Sequence, residues 1–407
     1  MVNIAILGFG VVGSGTAEVL TSNQDIIEKR IGMKLQLKKI LDIRDFTGNP
    51  FASLITDQAA EVFEDDSISI VAETIGGVGI AYDFTKRALS KGKSVVTSNK
   101  ELVAKHGVEL MQLADNNHCA YLFEAAVGGG IPIIRPLRHC LAANDITQIT
   151  AIINGTTNYI LTQMAENGAD YQASLKSAQE KGYAEQNPSA DIDGIDAGRK
   201  LAILSTIALS GTYIDPDKIH VEGISAITPE DIQYADLLDA KVKLLAIFKK
   251  DENKKVRAIV SSHIISRDIP VCVADDVYNA IMVNGNAVGE TLFYGQGAGK
   301  MATASAVVGD ILDVAVHAGR FTDLLAWTYA DDEVLCSYES NPVKAVLRIP
   351  ASVDISTVLP AGNYRIVKNI IEGENAFILG EHAILTEEEL QTIIAQIPAL
   401  NGMIRIY

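Results

Sequence analysis

The chain has 407 residues, more than one compact core usually takes, so two or three domains are expected. With 34 basic against 51 acidic residues the net charge is -17, which argues against a nucleic-acid or anionic-membrane surface, while 48% hydrophobic residues suit a globular protein. No apolar run reaches the ~18 residues that span a bilayer, Met1 leads straight into an apolar strand without a basic leader, and Cys119, Cys140, Cys272 and Cys336 form no CxxC, so a cytoplasmic protein with free thiols and no zinc site is expected.

The first third alternates strand and helix. Residues 2–7 (VNIAIL) read as a buried strand and Val11 to Lys29 as a helix. Leu35–Asp42, Ile68–Glu73, Ser94–Thr97 and Tyr121–Glu124 are further strands, with helices at Tyr82–Ser90 and Glu101–Asn116 between them. Such alternation predicts a parallel sheet with helices on both faces. Gly8-Phe9-Gly10-Val11-Val12-Gly13 follows the first strand and opens the first helix, the context in which GxGxxG binds a dinucleotide. Gly8 permits the tight turn, Gly10 lets the backbone approach a pyrophosphate, and Gly13 lets helix and strand pack closely. The positive helix end then faces the phosphates. A glycine-rich turn serving packing alone is the bland alternative.

The second strand ends Leu41-Asp42-Ile43-Arg44-Asp45. An acid there accepts ribose hydroxyls and favours NAD; an arginine pairs with a 2′-phosphate and favours NADP. Both are present and a one-residue shift in register swaps them, so NADP and NAD both stay open. The segment Val95–Lys100 ends a strand at the carboxyl edge, where doubly wound sheets bind ligands. Lys100 there either reaches a bound substrate or merely begins the next helix at the surface.

In the middle, Asp145–Asn154, His220–Ile224, Val242–Phe248 and Val256–Ile265 read as strands of a second sheet. Helices are expected at Thr156–Asn167, Ala173–Glu180, Gly194–Leu209, Pro229–Leu238 and Thr303–Val316. Ile153–Tyr159 sets amide and hydroxyl donors at a strand-to-helix turn, suited to a carboxylate or to an ordinary cap. In Gly182–Lys200 four acids, Glu185, Asp191, Asp193 and Asp196, precede Lys200. Asp196 and Lys200 stand at i and i+4 on one helix face. Carboxylates suit a substrate ammonium and a lysine suits a reacting carbonyl oxygen; a solvated helix start rich in acids is the alternative. An EF-hand does not fit, since no glutamate stands at its twelfth position. Tyr294–Gly299 either closes over a nicotinamide or is a tight turn.

The tail reads strand (VKAVLRI), short linker, strand (NYRIVKNII), strand (NAFILGE), helix (EEELQTIIAQI), strand (GMIRIY). Leu390, Ile393, Ile394 and Ile397 repeat at i, i+3, i+4, i+7, so the helix should pack on the sheet.

Seven segments together resemble the homoserine dehydrogenase family: GFGVVG at 8–13, ETIGG at 73–77, VVTSNKELVA at 95–104, FEAAVGGGIPII at 123–134, INGTTNYIL at 153–161, GYAEQNPSADIDGIDAGRKL at 182–201 and YGQGAGKMATASAVVGD at 294–310. The resemblance implies reduction of L-aspartate semialdehyde to L-homoserine with NAD(P)H. It implies an α/β fold with a Rossmann-type domain over 1–134, completed by about 296–320, and an α+β domain over 135–295 that binds substrate and forms a homodimer or higher homo-oligomer. It implies Lys200 as proton donor, Lys100 as a second active-site lysine, and Asp196 ordering both. Substrate contacts are expected from Glu185, Asp191, Gly155, Thr156 and Lys200. Cofactor contacts are expected from Gly8, Phe9, Gly10, Val11, Val12, Gly13, Asp42, Arg44, Thr74, Ile75, Ser98, Lys100 and Gly297. A structural Na+ or K+ is expected on backbone oxygens of Glu124, Val127, Gly129 and Ile131. Many relatives carry a C-terminal ACT domain that binds effector amino acids. Here residues 340–407 resemble a reduced one, because Pro350 and Pro360 leave too little room for its first helix, and weak or absent threonine inhibition is expected. A regulatory protein without catalysis would be favoured by loss of either lysine, and a dehydrogenase acting on an amine does not call for GTTNYIL; both lysines and that segment are present.

Overall fold

Six strands, β1 (Val2–Leu7), β2 (Leu35–Leu41), β3 (Ile55–Thr56), β4 (Ile68–Glu73), β5 (Ser94–Thr97) and β6 (Tyr121–Leu122), pair in parallel in the order β3-β2-β1-β4-β5-β6. This is the doubly wound order of dinucleotide-binding sheets. Helices α1 (Val11–Ser22), α2 (Gln24–Ile31), α3 (Ala60–Phe63), α4 (Gly79–Ser90) and α5 (Lys100–Asn116) connect them. The computed structural model describes residues 1–317, 326–330, 334–355, 358–359, 364–367, 370–381 and 383–407. Pro360, residues 318–320 of the expected completion of the first domain, and Asn363, Lys368 and Asn369 of NYRIVKNII lie outside the described residues.

The single helix expected over Val11–Lys29 is two. Asn23, at φ -103° and ψ 13°, leaves helical geometry, and its N–H closes α1 on the Val19 carbonyl. The strand expected over Tyr121–Glu124 stops at Leu122, because the Glu124 N–H turns to the buried carboxylate of Asp310 at 2.8 Å. Asp310 comes from α11 (Lys300–Val316), whose apolar face (Ala304, Val307, Val308, Ile311) packs with Ile4, Ile6 and Val96.

The second sheet holds β7 (Ile146–Ile152), β8 (His220–Val221), β9 (Ala240–Lys250), β10 (Val256–Ser266), β11 (Tyr278–Gly285) and β12 (Gly289–Gln296). Strands β11 and β12 were not foreseen; they form an antiparallel hairpin that pairs through β11 with β7. Helices α6 (Gly155–Asn167), α7 (Tyr171–Glu180), α8 (Ser189–Ile192), α9 (Ile195–Ala208) and α10 (Pro229–Leu237) belong to this half. On one face of its sheet, Ile149, Ala151, Leu244, Ala246 and Phe248 pack in the same core as Ile160, Leu201 and Leu204.

The tail contributes β13 (Pro342–Val343), β14 (Ala345–Pro350), β15 (Tyr364–Val367), β16 (Glu374–Leu379), β17 (Leu385–Thr386), α12 (Glu387–Gln396) and β18 (Gly402–Ile406). Between β14 and β15 the described residues form no helix. Leu390 and Ile397 of the last helical stretch are buried against Leu347, Ile349 and Phe377. β18 pairs in parallel with β10, so the tail continues the second sheet into one of 10 strands. Buried arginines fasten that junction: Arg348 donates to Asp231 at 2.8 Å, and Arg405 pairs with Glu222 and Glu387.

Candidate active site

The first turn is built as GxGxxG requires. Gly8 has φ +86°, and a Cβ on Gly13 would lie 2.0 Å from the Gly8 carbonyl oxygen, so neither position takes a side chain. Gly10 caps α1 without a side-chain acceptor, leaving that end's N–H groups open. At the end of β2 the Asp42 carboxylate accepts from Phe9 N (2.6 Å) and from Arg44 Nη2 (2.7 Å) and Nε (3.0 Å). The Arg44 bonds outweigh partial burial and hold Asp42 at about 2. A groove of about 440 Å³ opens beside Asp42, Arg44 and Phe46. Thr74 Oγ1 donates toward the Gly8 carbonyl at 2.9 Å, and Ile75 N donates to Glu73 at 2.6 Å, so the 74–77 turn lies against the glycine turn.

The expected catalytic residues do meet. Asp196, in the first turn of α9, receives Lys200 Nζ on Oδ2 and Lys100 Nζ on Oδ1, both at 2.7 Å. Lys100 is the first residue of α5 and belongs to the first sheet's half, so Asp196 bridges the two halves. Arg199 pairs with Glu101 at 2.8 Å beside it. Lys200 also donates to the Ile153 carbonyl at 2.8 Å and is 8% exposed. Burial pushes Asp196 up, but the two ammonium groups overcome it and hold it well below the usual carboxylate range. Burial pulls Lys200 down despite Asp196, whereas at Lys100 the charge of Asp196 overcomes burial and raises it.

Asn154, the N-cap of α6, was not among the expected site residues. Its Oδ1 accepts from Thr157 N at 2.9 Å, and its Nδ2 donates to Asp191 at 2.7 Å and Asp196 at 2.9 Å. Its cap position was the available signal. Thr156 Oγ1 donates to the Tyr183 carbonyl at 2.7 Å and lies 3.4 Å from Asp191. Gly155 begins α6 beside them. Glu185 lies on the exposed loop after α7, where its carbonyl accepts from Gln179. Ser98 follows β5, its N–H 3.4 Å from the Glu73 carbonyl.

The Glu124 carboxylate is buried and accepts from Ile133 N, Ile134 N and Arg135 N at 2.6–2.9 Å. Its side chain thus fixes the 124–131 loop, leaving backbone oxygens as the candidate ligands. A Cβ on Gly129 would meet the Gly297 carbonyl at 2.3 Å, so the 295–299 loop lies directly on that loop, with Val127 and Ile131 buried beneath. Among the described residues no three His, Cys, Asp or Glu side chains gather as a metal site, and no helix is long and apolar enough to cross a membrane.

Comparison with known proteins shows the family. A family model described as homoserine dehydrogenase matches residues 132–312, and one described as homoserine dehydrogenase, NAD binding domain, matches 8–124. The homoserine dehydrogenase of Helicobacter pylori is 37% identical over 417 aligned residues, covering 99% of this chain and 96% of that one. The crystal structure of a homoserine dehydrogenase from Thiobacillus denitrificans superimposes with a TM-score of 0.90 at 36% identity, covering 100% and 98% of the two chains. A hyperthermophilic archaeal homoserine dehydrogenase in complex with NADPH gives 0.66 at 32% identity, covering 79% of this chain and 99% of that one.

Proposed function

The chain belongs to the homoserine dehydrogenase family and catalyses the reversible NAD(P)H-dependent reduction of L-aspartate semialdehyde to L-homoserine, and from that premise we propose how its residues divide the work. The observation that carries the reading is Asp196 held between Lys100 and Lys200 at 2.7 Å each.

The nicotinamide supplies the hydride. As the aldehyde carbon receives it, the carbonyl oxygen gains negative charge and needs a proton. An ammonium has three donors. Lys200 gives one to Asp196 and one to the Ile153 carbonyl, leaving a third for the substrate oxygen. Burial makes that proton easier to release, while Asp196 keeps the group charged enough to hold it. Lys100, raised by Asp196, stays cationic and stabilises the developing charge. Asp191, poised by Asn154 and Thr156, and Glu185 on the rim take the substrate ammonium, and Gly155 at the start of α6 faces its carboxylate.

The residues present fit a dinucleotide: the glycine turn leaves room for the pyrophosphate over α1, and the 74–77 turn, Ser98, Lys100 and Gly297 would line the nicotinamide end. Both Asp42 oxygens already accept hydrogen bonds, whereas the Arg44 side chain is 58% exposed at the groove, which favours a 2′-phosphate and hence NADP over NAD. The neutral oxygens of Glu124, Val127, Gly129 and Ile131 suit Na+ or K+, which would stiffen the loop against Gly297. We divide the chain into 1–134 with about 296–320, 135–295, and 340–407. A homodimer through the second sheet is supported by Tyr278 and Tyr294, stacked at 5.3 Å and exposed by the β11–β12 edge. A cytoplasmic location fits four unpaired cysteines. Oxidation of NADPH with aspartate semialdehyde, set against other small aldehydes and keto acids, tests the activity; preference for another substrate would overturn it.

A further inference from the structure

Glu73 ends β4 fully buried, at the carboxyl edge of the first sheet. One carboxyl oxygen accepts from Ile75 N and the other from Thr97 Oγ1, both at 2.6 Å. Thr97 Oγ1 in turn accepts from Asn99 N at 2.9 Å. Asn99 Nδ2 donates back to the carbonyls of Gly77 (2.6 Å) and Ile75 (3.2 Å), while its Oδ1 caps α5 through Leu102 N at 3.1 Å. The next residue is Lys100. The 74–77 turn and the start of α5 are therefore tied through one carboxyl group and the asparagine it indirectly sets.

We propose that Glu73 is a positioning residue, and that only its carboxylate form holds the cofactor-facing 74–77 turn and the Lys100 helix start in register. The proposal rests on the placing of cofactor and Lys100 given above. A carboxylate accepts both donors; a carboxylic acid must donate from one oxygen. That hydrogen would point at Thr97 Oγ1, whose second lone pair can take it beside Asn99 N, but the Thr97 hydroxyl hydrogen would then lose its acceptor. Protonation thus strands a buried hydroxyl hydrogen at the middle link and weakens the chain there.

The environment brings this event into the working range. Burial raises Glu73 to about 7, against the opposing hydrogen bonds from Thr97, Ile75 and Asn99. From β5 and the start of α5 it meets only hydroxyl and amide groups. From β6 it faces the buried Tyr121 hydroxyl, which has no hydrogen-bond partner and is itself pushed well up, by burial first and by the charge of Glu73 second. No basic side chain among the described residues offsets the burial.

The test is the Kd for NADPH from pH 6 to 8.5, measured by quenching of protein fluorescence, for the full chain and for Glu73→Gln. Gln is nearly isosteric and cannot become an anion. The ratio of variant to wild-type Kd should be roughly fivefold or more at pH 8, the scale of a lost charge-assisted hydrogen bond. It should fall toward unity at pH 6, where wild-type Glu73 is protonated. Titration of the cofactor's 2′-phosphate is common to both proteins and cancels in the ratio. A ratio of unity throughout, or one constant with pH as for a packing defect, overturns the proposal. If Glu73→Gln does not fold, Thr97→Val deletes the middle link at every pH, so the Kd at pH 8 should rise and its acid limb should flatten; a Kd profile like that of the wild type overturns the proposal equally. Lys100→Met with normal turnover but a pH-dependent Glu73→Gln ratio would remove Lys100 from the site while sustaining the link to the 74–77 turn.

Discussion

Asp196→Asn is the most informative single change. It keeps the shape of the residue and removes the carboxylate that contacts both lysines. Asp196 is 4% exposed and Lys200 8%, so the charge left behind is shielded from water. Removing one partner of a buried pair costs about 3–5 kcal/mol. The lower end applies here, because the Lys100 side chain is 39% exposed and regains hydration, so its share is discounted as for surface pairs. We expect a loss of about 3 kcal/mol in denaturant-derived stability at pH 7. The catalytic effect has a definite sign. Burial already pulls Lys200 down and Asp196 opposes this, so without the carboxylate Lys200 loses its proton at lower pH. The donor is present below that point and lost above it, so the alkaline limb of semialdehyde reduction should move to lower pH. At neutral pH kcat should fall by roughly 10²-fold or more, the scale of a lost general acid. Stopped-flow NADPH oxidation across pH, with urea unfolding of the same samples, reads both effects. An Asp196→Asn protein with the wild-type alkaline limb would refute the reasoning, whatever its stability.

Lys200→Ala should lower kcat by roughly 10²-fold or more with NADPH affinity nearly unchanged; near-normal turnover removes it as the proton donor. Glu185→Gln should raise KM for homoserine, with a cost of about 1.5–3 kcal/mol for a charge-assisted contact and toward the lower value on so exposed a loop; equal discrimination by both proteins against an analogue lacking the amino group shows that Glu185 does not read it. L-threonine should inhibit weakly or not at all, since the described residues between β14 and β15 supply no helix start; strong inhibition of the full chain at millimolar threonine would show a working sensor.

Most of the first sheet was legible because β1, β4 and β5 are short, mostly apolar runs and its first turn has glycines where side chains cannot fit, whereas β3, two residues long, was not foreseen. The contact of Asp196 with Lys200 on α9 was legible from their i,i+4 spacing, and their roles only from the resemblance. What stayed hidden is what long-range pairing decides. Gly289–Gln296 alternates polar and apolar residues so weakly that only its pairing with β11 makes it a strand. The tail looked like a separate module, yet β18 joins β10 and makes the two sheets one. Asn154 and Asn99 look like ordinary caps in sequence, and both are. Their second function, binding Asp191 and Asp196 in one case and the 74–77 turn in the other, comes from residues 22–42 positions away.

In the division of work proposed above the two lysines share one acid but not one role, and the difference lies in solvent. Lys200 is buried on α9 with its carboxylate and a backbone carbonyl fixed around it, so burial dominates and its proton is labile. Lys100 reaches the same carboxylate from α5 with 39% of its side chain in water, so attraction dominates and its charge is kept. Exchanging the identities of proton donor and electrostatic support would require exchanging their burial, which no substitution at Asp196 can do. The arrangement also ties chemistry to closure. Lys100 belongs to the half that carries the dinucleotide turn and Lys200 to the half that carries Asn154 and Asp191, so the donor has its full environment only when the halves are together. Of the contacts that fasten them here, Lys100 with Asp196 lies at the reacting centre and Arg199 with Glu101 lies one helical turn behind it. Weakening the outer pair should therefore change how often the site is assembled without changing the proton donor itself.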